Sequence, residues 1–253
     1  MLLFTRNLHF LRTIPANDLC NVHCGIESKI PCCFYDEAPW YAVLQCAETI
    51  GLMEEIMSSS TSSDVKRFDR WAATYDQSVL QRLYFGPVHS KMLDLLAREG
   101  PKDAPSCIID VGCGTGRLLR AASARWPEAR LLGVDPAENM VAEATRLNPN
   151  AVFKLASAES LPIPHQTADI VLSSLSFHHW ADQKKGLQEI VRVLRPGGFF
   201  CLADHNVMLL AKLFGERVKS REQIRELMTS AGLTVWWQQR LGMRFVLITL
   251  AQK

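Results

Sequence analysis

The sequence has no apolar run long enough to cross a bilayer. A spanning helix needs about 20 mostly apolar residues, and the most apolar N-terminal stretch, Met1 to Ile14, is broken by Arg6, His9 and Arg12. The same breaks spoil a secretory signal core and leave an organelle-targeting peptide open. The chain therefore reads as cytoplasmic. It also lacks an excess of charge of one sign. Its 28 basic residues face 26 acidic ones, a net +2, which gives no global field to draw it onto nucleic acid or an anionic membrane. With Gly 14 and Pro 12 in 253 residues, collagen-like and proline-rich compositions are excluded. There is no internal repeat and no Asn-Pro-Pro-Tyr base-flipping motif. What is present is ordinary for a globular protein, 48% apolar and 21% charged, over a length that fits one large domain or one domain with an appendage.

The cysteines are unevenly spread. Cys20, Cys24, Cys32, Cys33 and Cys46 crowd the front of the chain, while Cys107, Cys113 and Cys201 lie in or beside apolar runs. The last three read as small core residues. Cys20-x-x-His23-Cys24 followed by Cys32-Cys33 is too ragged for structural zinc, which prefers two clean pairs, so no metal is expected. Ser58 to Ser63 reads SSSTSS, a linker composition. Three regions follow: a poorly structured extension over 1–57, with Met53 and Met57 as alternative starts; a linker with helices over 58–104; and the main domain over 105–253.

Beyond the linker the pattern becomes regular. Helices are predicted over Asp64–Leu83 and Val88–Arg98, the second ended by Gly100-Pro101. Strands and helices then alternate: strands Ser106–Val111, Ala129–Val134, Ala151–Leu155, Asp169–Ser173 and Phe199–Ala203, with helices Gly116–Trp126, Ala137–Leu147, Asp182–Leu194 and Ser220–Ala231. Alternation of this kind gives an α/β fold with a mostly parallel sheet covered by helices. The final strands, Leu233–Leu241 and Phe245–Ala251, are separated only by Gly242, Met243 and Arg244. That connection is too short for a parallel crossover, so the last strand is antiparallel.

Asp110-Val111-Gly112-Cys113-Gly114-Thr115-Gly116 follows a buried strand and opens a helix. Glycines there permit tight turns and close ligand approach, and the loop aims backbone N–H groups at a ligand from the positive end of a helix. A plain strand-to-helix turn needs fewer glycines. A dinucleotide fingerprint would place its third glycine at Arg117, so the charged side chain there counts against NAD. Asp135, at the end of the next strand, is placed to accept from ribose hydroxyls; with Pro136 it also reads as an N-cap followed by N1.

Taken together, Asp110–Gly116, Gly133-Val134-Asp135, Ala158-Glu159-Ser160-Leu161-Pro162 and Arg192-Val193-Leu194-Arg195-Pro196-Gly197-Gly198 resemble the class I S-adenosylmethionine-dependent methyltransferases, in particular the small-molecule branch with the ubiquinone/menaquinone C-methyltransferases. The resemblance covers roughly Lys66 to Lys253. It implies a Rossmann-like three-layer sandwich with a seven-stranded sheet of order 3-2-1-4-5-7-6, strand 7 antiparallel, and S-adenosylmethionine as methyl donor. By the same resemblance Gly112, Gly114 and Gly116 cradle the methionine moiety and Asp110 faces its amino group. Asp135 binds the ribose, Pro136 or Met140 lines the adenine slot, and Ser157 and Ala158 reach the adenine edge. Ser174, Leu175 and Ser176 end strand 4 beside the methyl group. Many relatives carry an acid where Ser157 stands; a hydroxyl accepts without charge assistance, so cofactor affinity is expected to be modest.

Methyl transfer from a sulfonium needs a base only if the acceptor must lose a proton. His178 and His179 follow strand 4 in Ser176-Phe177-His178-His179-Trp180, at the carboxyl end where open α/β sheets place ligands. Asp204-His205, after strand 5, is a second candidate pair. Structural roles remain open for both: a histidine capping the next helix or packing under Trp180, and a polar loop exit. Phe68, Trp71 and Tyr75 share one helical face; by resemblance this helix closes over the cofactor with Tyr75 facing the site. The stretch from Asn206 to Lys219 would flank the substrate mouth, with Phe177 nearby. The leading reading is a methyltransferase for a small-molecule acceptor. A cofactor-binding protein without transferase activity and an NAD-dependent oxidoreductase are the alternatives.

Overall fold

The central strand, β1 (Cys107–Val111), reads CIIDV, and every residue in it is buried. A short run of branched apolar residues with no polar alternation suits a strand covered on both faces. Around it a computed structural model, describing residues 61–76, 78, 84–206, 218–241 and 246–253, builds a seven-stranded sheet. β2 (Arg130–Asp135), β3 (Ala151–Leu155), β4 (Ala168–Ser174), β5 (Leu194–His205), β6 (Thr234–Leu241) and β7 (Val246–Gln252) complete it. The order is β3-β2-β1-β4-β5-β7-β6. The first five strands pair in parallel, and β7 runs antiparallel to both β5 and β6. The sheet order and the antiparallel last strand are those expected from the sequence.

Helices cover the sheet in a Rossmann-like sandwich: α1 (Thr61–Tyr75), α2 (Gly86–Glu99), α3 (Arg117–Arg125), α4 (Glu138–Leu147), α5 (Gln183–Val193) and α6 (Arg221–Ser230). The main core gathers Ile109, Val134, Val171, Leu187, Phe200 and Leu247 from strands and helices alike. All described residues lie within one compact unit, Leu52–Lys253. Among them no helix is long and apolar enough to cross a membrane, and no group of three His, Cys, Asp or Glu residues is arranged for a metal. The front extension and its cysteines, the stretch 207–217 expected beside the substrate mouth, and the turn 242–245 lie outside the described residues.

Two predicted boundaries change. The helix expected to run to Leu83 ends at Tyr75, because Asp76 is drawn into tertiary contacts with the glycine loop. β5 begins at Leu194 rather than Phe199. Gly197 takes φ 78°, and its N–H donates to the Lys253 carbonyl at 2.9 Å, so the Arg-Pro-Gly-Gly turn becomes part of the strand. α6 carries a capping box: Ser220 Oγ accepts from the Gln223 N–H at 3.2 Å, and Gln223 Oε1 accepts from the Ser220 N–H at 2.8 Å. Ser220→Ala should lower stability by about 1 kcal/mol, read as a lower denaturant midpoint with unchanged slope. An unchanged midpoint would show that the box is idle.

Candidate functional site

The carboxyl ends of β1, β2 and β4 meet around a cavity of about 420 Å³. Its floor is the turn after β1. Gly112 sits at φ 75°, and a Cβ there would stand 2.3 Å from Ser176 Oγ. Gly114 is different: a Cβ at that point meets nothing nearer than the Tyr75 ring at 3.9 Å and Met140 Sδ at 4.0 Å. Gly112 thus admits the residues after β4, and Gly114 leaves open space. Gly116 caps α3 in a left-handed conformation.

The loop does not present the free N–H groups expected of it at four positions. Gly112 and Cys113 donate to the Val134 carbonyl at 2.8 and 3.1 Å, and Gly116 donates to the Cys113 carbonyl at 2.9 Å. Gly114 donates to Asp135 Oδ2 at 2.8 Å. The parallel register of β1 on β2 brings the Val134 carbonyl under the turn. The polar groups left to a ligand at this turn are therefore mainly carboxylates.

Asp135 lines the cavity. Its Oδ1 accepts from the Ala137 N–H at 2.9 Å, but α4 begins at Glu138 with Ala137 at its N-cap. Asp135 therefore forms an Asx-type turn ahead of the helix, not the N-cap expected. Burial raises its pKa to about 6 against the pull of the two backbone N–H bonds. Asp110, one strand over, is buried near the end of β1. Its Oδ1 has no hydrogen-bond partner among the described residues. Burial first, and the Asp135 charge second, push it up to about 8.

Pro136, Met140, Ser157 and Ala158 line one side of the cavity, and Ser174, Leu175 and Ser176 the other. Leu175 takes φ 53°, an uncommon conformation for a side chain of its size; its N–H is held by the Ala203 carbonyl at 2.7 Å. Ser176 Oγ reaches Ser173 Oγ at 2.8 Å and donates to the Val111 carbonyl at 3.0 Å. From α1, Phe68 and Tyr75 face the cavity, joined by Phe85, which the sequence did not single out. Trp71 is not on the lining; it packs edge-on against Phe68, 6.3 Å between centroids.

The histidines divide. His179 lines the cavity, edge-on to Phe68 at 5.2 Å. Phe177 does not reach it. That ring is fully buried in the core, edge-on to Trp180 at 4.9 Å, because the 3₁₀ turn Phe177–His179 points it inward. His178 stands behind His179, their ring centroids 4.0 Å apart. Its Nδ1 lies 2.6 Å from Asp204 Oδ1, which also accepts from the His205 N–H at 2.9 Å. The Tyr84 hydroxyl is 3.2 Å from His205 Nδ1. Burial raises Asp204 to about 6, lowers His205 to about 3 and raises Tyr84 above its ordinary range. The two pairs read separately in the sequence thus form one buried cluster, since β4 and β5 are neighbours. Neither histidine after β4 caps the next helix: Asp182 does so, accepting from the Lys185 N–H at 3.0 Å.

Residues 109–202 match a family model described as a methyltransferase domain. Malonyl-acyl-carrier-protein O-methyltransferase of Hahella chejuensis is 31% identical over 217 residues, covering 76% of this chain and 75% of that protein. The chain belongs to the class I S-adenosylmethionine-dependent methyltransferases. Demethylmenaquinone methyltransferase of Chlorobaculum parvum is 32% identical over 147 residues, 56% of this chain and 60% of the relative. Among solved structures, a SAM-dependent methyltransferase from Aquifex aeolicus superposes with a TM-score of 0.58 at 20% identity, over 77% of this chain and 99% of that one.

The site of this methyltransferase suits the family's cofactor. Asp110 is not itself on the cavity lining, but its buried carboxyl oxygen lacks a partner among the described residues and would suit an ammonium. Asp135 brings a carboxylate to the cavity, and each of its oxygens has a second lone pair beyond the backbone bond. The open side of Gly114 leaves room between them. Arg117, which stands where a dinucleotide fingerprint needs glycine, instead extends Nη1 to the Asp76 carbonyl at 3.4 Å.

Proposed function

We propose that this methyltransferase moves the methyl group of S-adenosylmethionine to a small-molecule acceptor. The observation that carries the reading is the partnerless buried oxygen of Asp110 beside a cavity lined by Asp135. S-adenosylmethionine holds its methyl on a sulfonium and so supplies an activated donor. The chain's own part is placement, worth about 7–11 kcal/mol when the reacting atoms are aligned. Asp110 takes the amino group, Asp135 the ribose hydroxyls, and Pro136, Met140, Ser157 and Ala158 the adenine. Phe68 and Tyr75 on α1 exclude water from above. Residues 105–253 constitute the binding domain, the helices before them act as its lid, and 1–57 is dispensable for binding.

Of the two histidines after β4, His179 on the cavity wall is the one placed to take the acceptor's proton, and His178 backs it. Asp204 accepts from Nδ1–H of His178 and so fixes the ring against which His179 lies. Calorimetric titration with S-adenosylmethionine tests binding, and release of S-adenosylhomocysteine across a panel of acceptors tests transfer. Binding without release under any acceptor would select the non-catalytic alternative. With a competent acceptor, His179→Asn should lower kcat by about 10²–10⁴ while leaving cofactor affinity unchanged. A drop of less than about tenfold would remove the base role.

A further inference from the structure

The residue just beyond α1 is tied to the glycine loop more closely than any packing requirement explains. The Asp76 carboxylate accepts from the Thr115 hydroxyl through one oxygen and from Arg120 Nη2 through the other. Its backbone carbonyl receives Arg117 Nη1 at 3.4 Å. Thr115 is one of the residues of the turn between Gly112 and Gly116 and is itself buried. Its carbonyl is held from the far side, by Arg120 Nη1 at 2.9 Å and Asn148 Nδ2 at 3.2 Å. Thr115 is therefore gripped at both its side chain and its backbone, and Asp76 supplies the side-chain grip.

The ion pair is sheltered. The Asp76 and Arg120 side chains are 24% and 30% exposed, so it is worth more than a pair in open water. About two turns earlier on the same helix face is a second tie: Asp69 Oδ1 accepts from the Asn139 N–H at 2.6 Å, and the Asp69 carbonyl from Asn139 Nδ2 at 3.2 Å. Between the two ties Ala72 and Tyr75, with Phe68 just before them, pack with Ala137 and Met140. α1 thus crosses the cavity fastened at one rim to the loop after β1 and at the other to the start of α4.

We propose that Asp76 is a positioning residue for the cofactor: it makes the geometry of the glycine loop and the closure of α1 a single event. The proposal rests on the functional reading above, in which the cofactor lies between that loop and Tyr75. Loop and lid each face the cavity, and Asp76 with its partners Thr115, Arg117 and Arg120 joins them directly. Without the carboxylate, Thr115 loses its hydroxyl partner and Arg120 its counter-charge. Tyr75, one residue away, is then no longer fixed above Gly114.

The test uses the full chain, with Asp76→Asn and Arg120→Gln as single variants and as the pair. S-adenosylhomocysteine is the titrant, and hydrogen exchange is followed with and without it. A charge-assisted contact of this type predicts that each single variant weakens binding by about tenfold to a hundredfold, and that the double variant is no weaker than the worse single one. Once an acceptor is known, KM for the cofactor should rise while kcat stays within about twofold. In the wild type the ligand should slow exchange both in the loop around Thr115 and in α1; in Asp76→Asn the loop protection should persist and that of α1 should vanish. A merely structural role would lower Tm without separating these two segments. Undiminished affinity in Asp76→Asn overturns the proposal, as does loss of folding in both single variants. Failure of the wild type to bind overturns the functional reading, and this proposal with it.

Discussion

Asp110→Asn should make the ligand-free protein more heat-stable at pH 8.5 and at the same time weaken S-adenosylmethionine binding by about tenfold or more. The sign follows from where the carboxyl titrates. The folded pKa of Asp110, about 8, lies above the ordinary carboxyl value because burial and the nearby Asp135 disfavour its charge. A group raised in the folded state contributes stability that is complete below its unfolded pKa and is lost as pH climbs through the folded one. A tenfold change in proton affinity corresponds to about 1.4 kcal/mol, so ionising Asp110 without a counter-charge costs a few kcal/mol at high pH. Asparagine never ionises and escapes that cost. As pH falls the two melting curves should draw together, converging only near the unfolded carboxyl's pKa of about 4, below which both states of the wild type are neutral. For the cofactor the comparison reverses, since a buried hydrogen bond to a charged group contributes about 1.5–3 kcal/mol and the amide cannot supply it. Scanning calorimetry from about pH 4 to 8.5, with and without ligand, checks both halves. A variant that is less stable than wild type throughout that range would sink the assignment.

Gly112→Ala should lower Tm by about 5–15 °C and remove measurable cofactor binding. A side chain at φ 75° costs about 1–2 kcal/mol. The new methyl would also stand 2.3 Å from Ser176 Oγ and 2.4 Å from Ser176 Cβ, and relieving such an overlap costs a further ~1–3 kcal/mol. Ser176 cannot swing away freely, because its hydroxyl is bonded to Ser173 and to the Val111 carbonyl. The double variant Gly112→Ala/Ser176→Gly separates the two causes. It removes the overlap and should recover part of the loss, leaving about 1–2 kcal/mol from the backbone alone. Full recovery would mean that the left-handed backbone carries no penalty, and no recovery that the overlap is harmless.

These two positions could be picked out from the chain alone, and the reason is local. Gly112 and Asp110 belong to one contiguous strand–turn–helix segment whose composition announces a close approach of backbone to ligand. The mostly parallel sheet and its antiparallel last strand were legible for a similar reason, since β and α periods alternate and the last connection is too short for a crossover; the strand order came only from the family resemblance. What could not be read is whatever depends on two distant segments meeting. Phe85 and Tyr84 follow no recognisable signal, yet one lines the cavity and the other reaches His205. His178 and Asp204 each looked like half of a separate pair; only the β4–β5 register, Ser174 against Ala203, places them in one cluster. Phe177 was expected near the substrate because it sits between candidate residues, but a 3₁₀ turn sends successive side chains in different directions. The end of the first helix was misplaced because the residues after Tyr75 have no helix-breaking composition. The stop comes from Thr115 and Arg120, far downstream in the chain.

The strand order also sets a timetable for assembly. β1 to β4 are consecutive in the chain and adjacent in the sheet, so the half that forms the cofactor cavity can pair as it emerges. The other half cannot. β6 touches no strand but β7, and β7 is the last to be made. It must insert between β5 and β6 before β6 has any place in the sheet. Docking of β6 in the sheet therefore waits on β7. Non-local pairing of this kind is slow to form, and until it completes, the exposed flank of β5 is an open edge. The C-terminal hairpin is thus the step at which a nascent or refolding chain is most vulnerable, although it lies well away from the glycine loop in the sheet order.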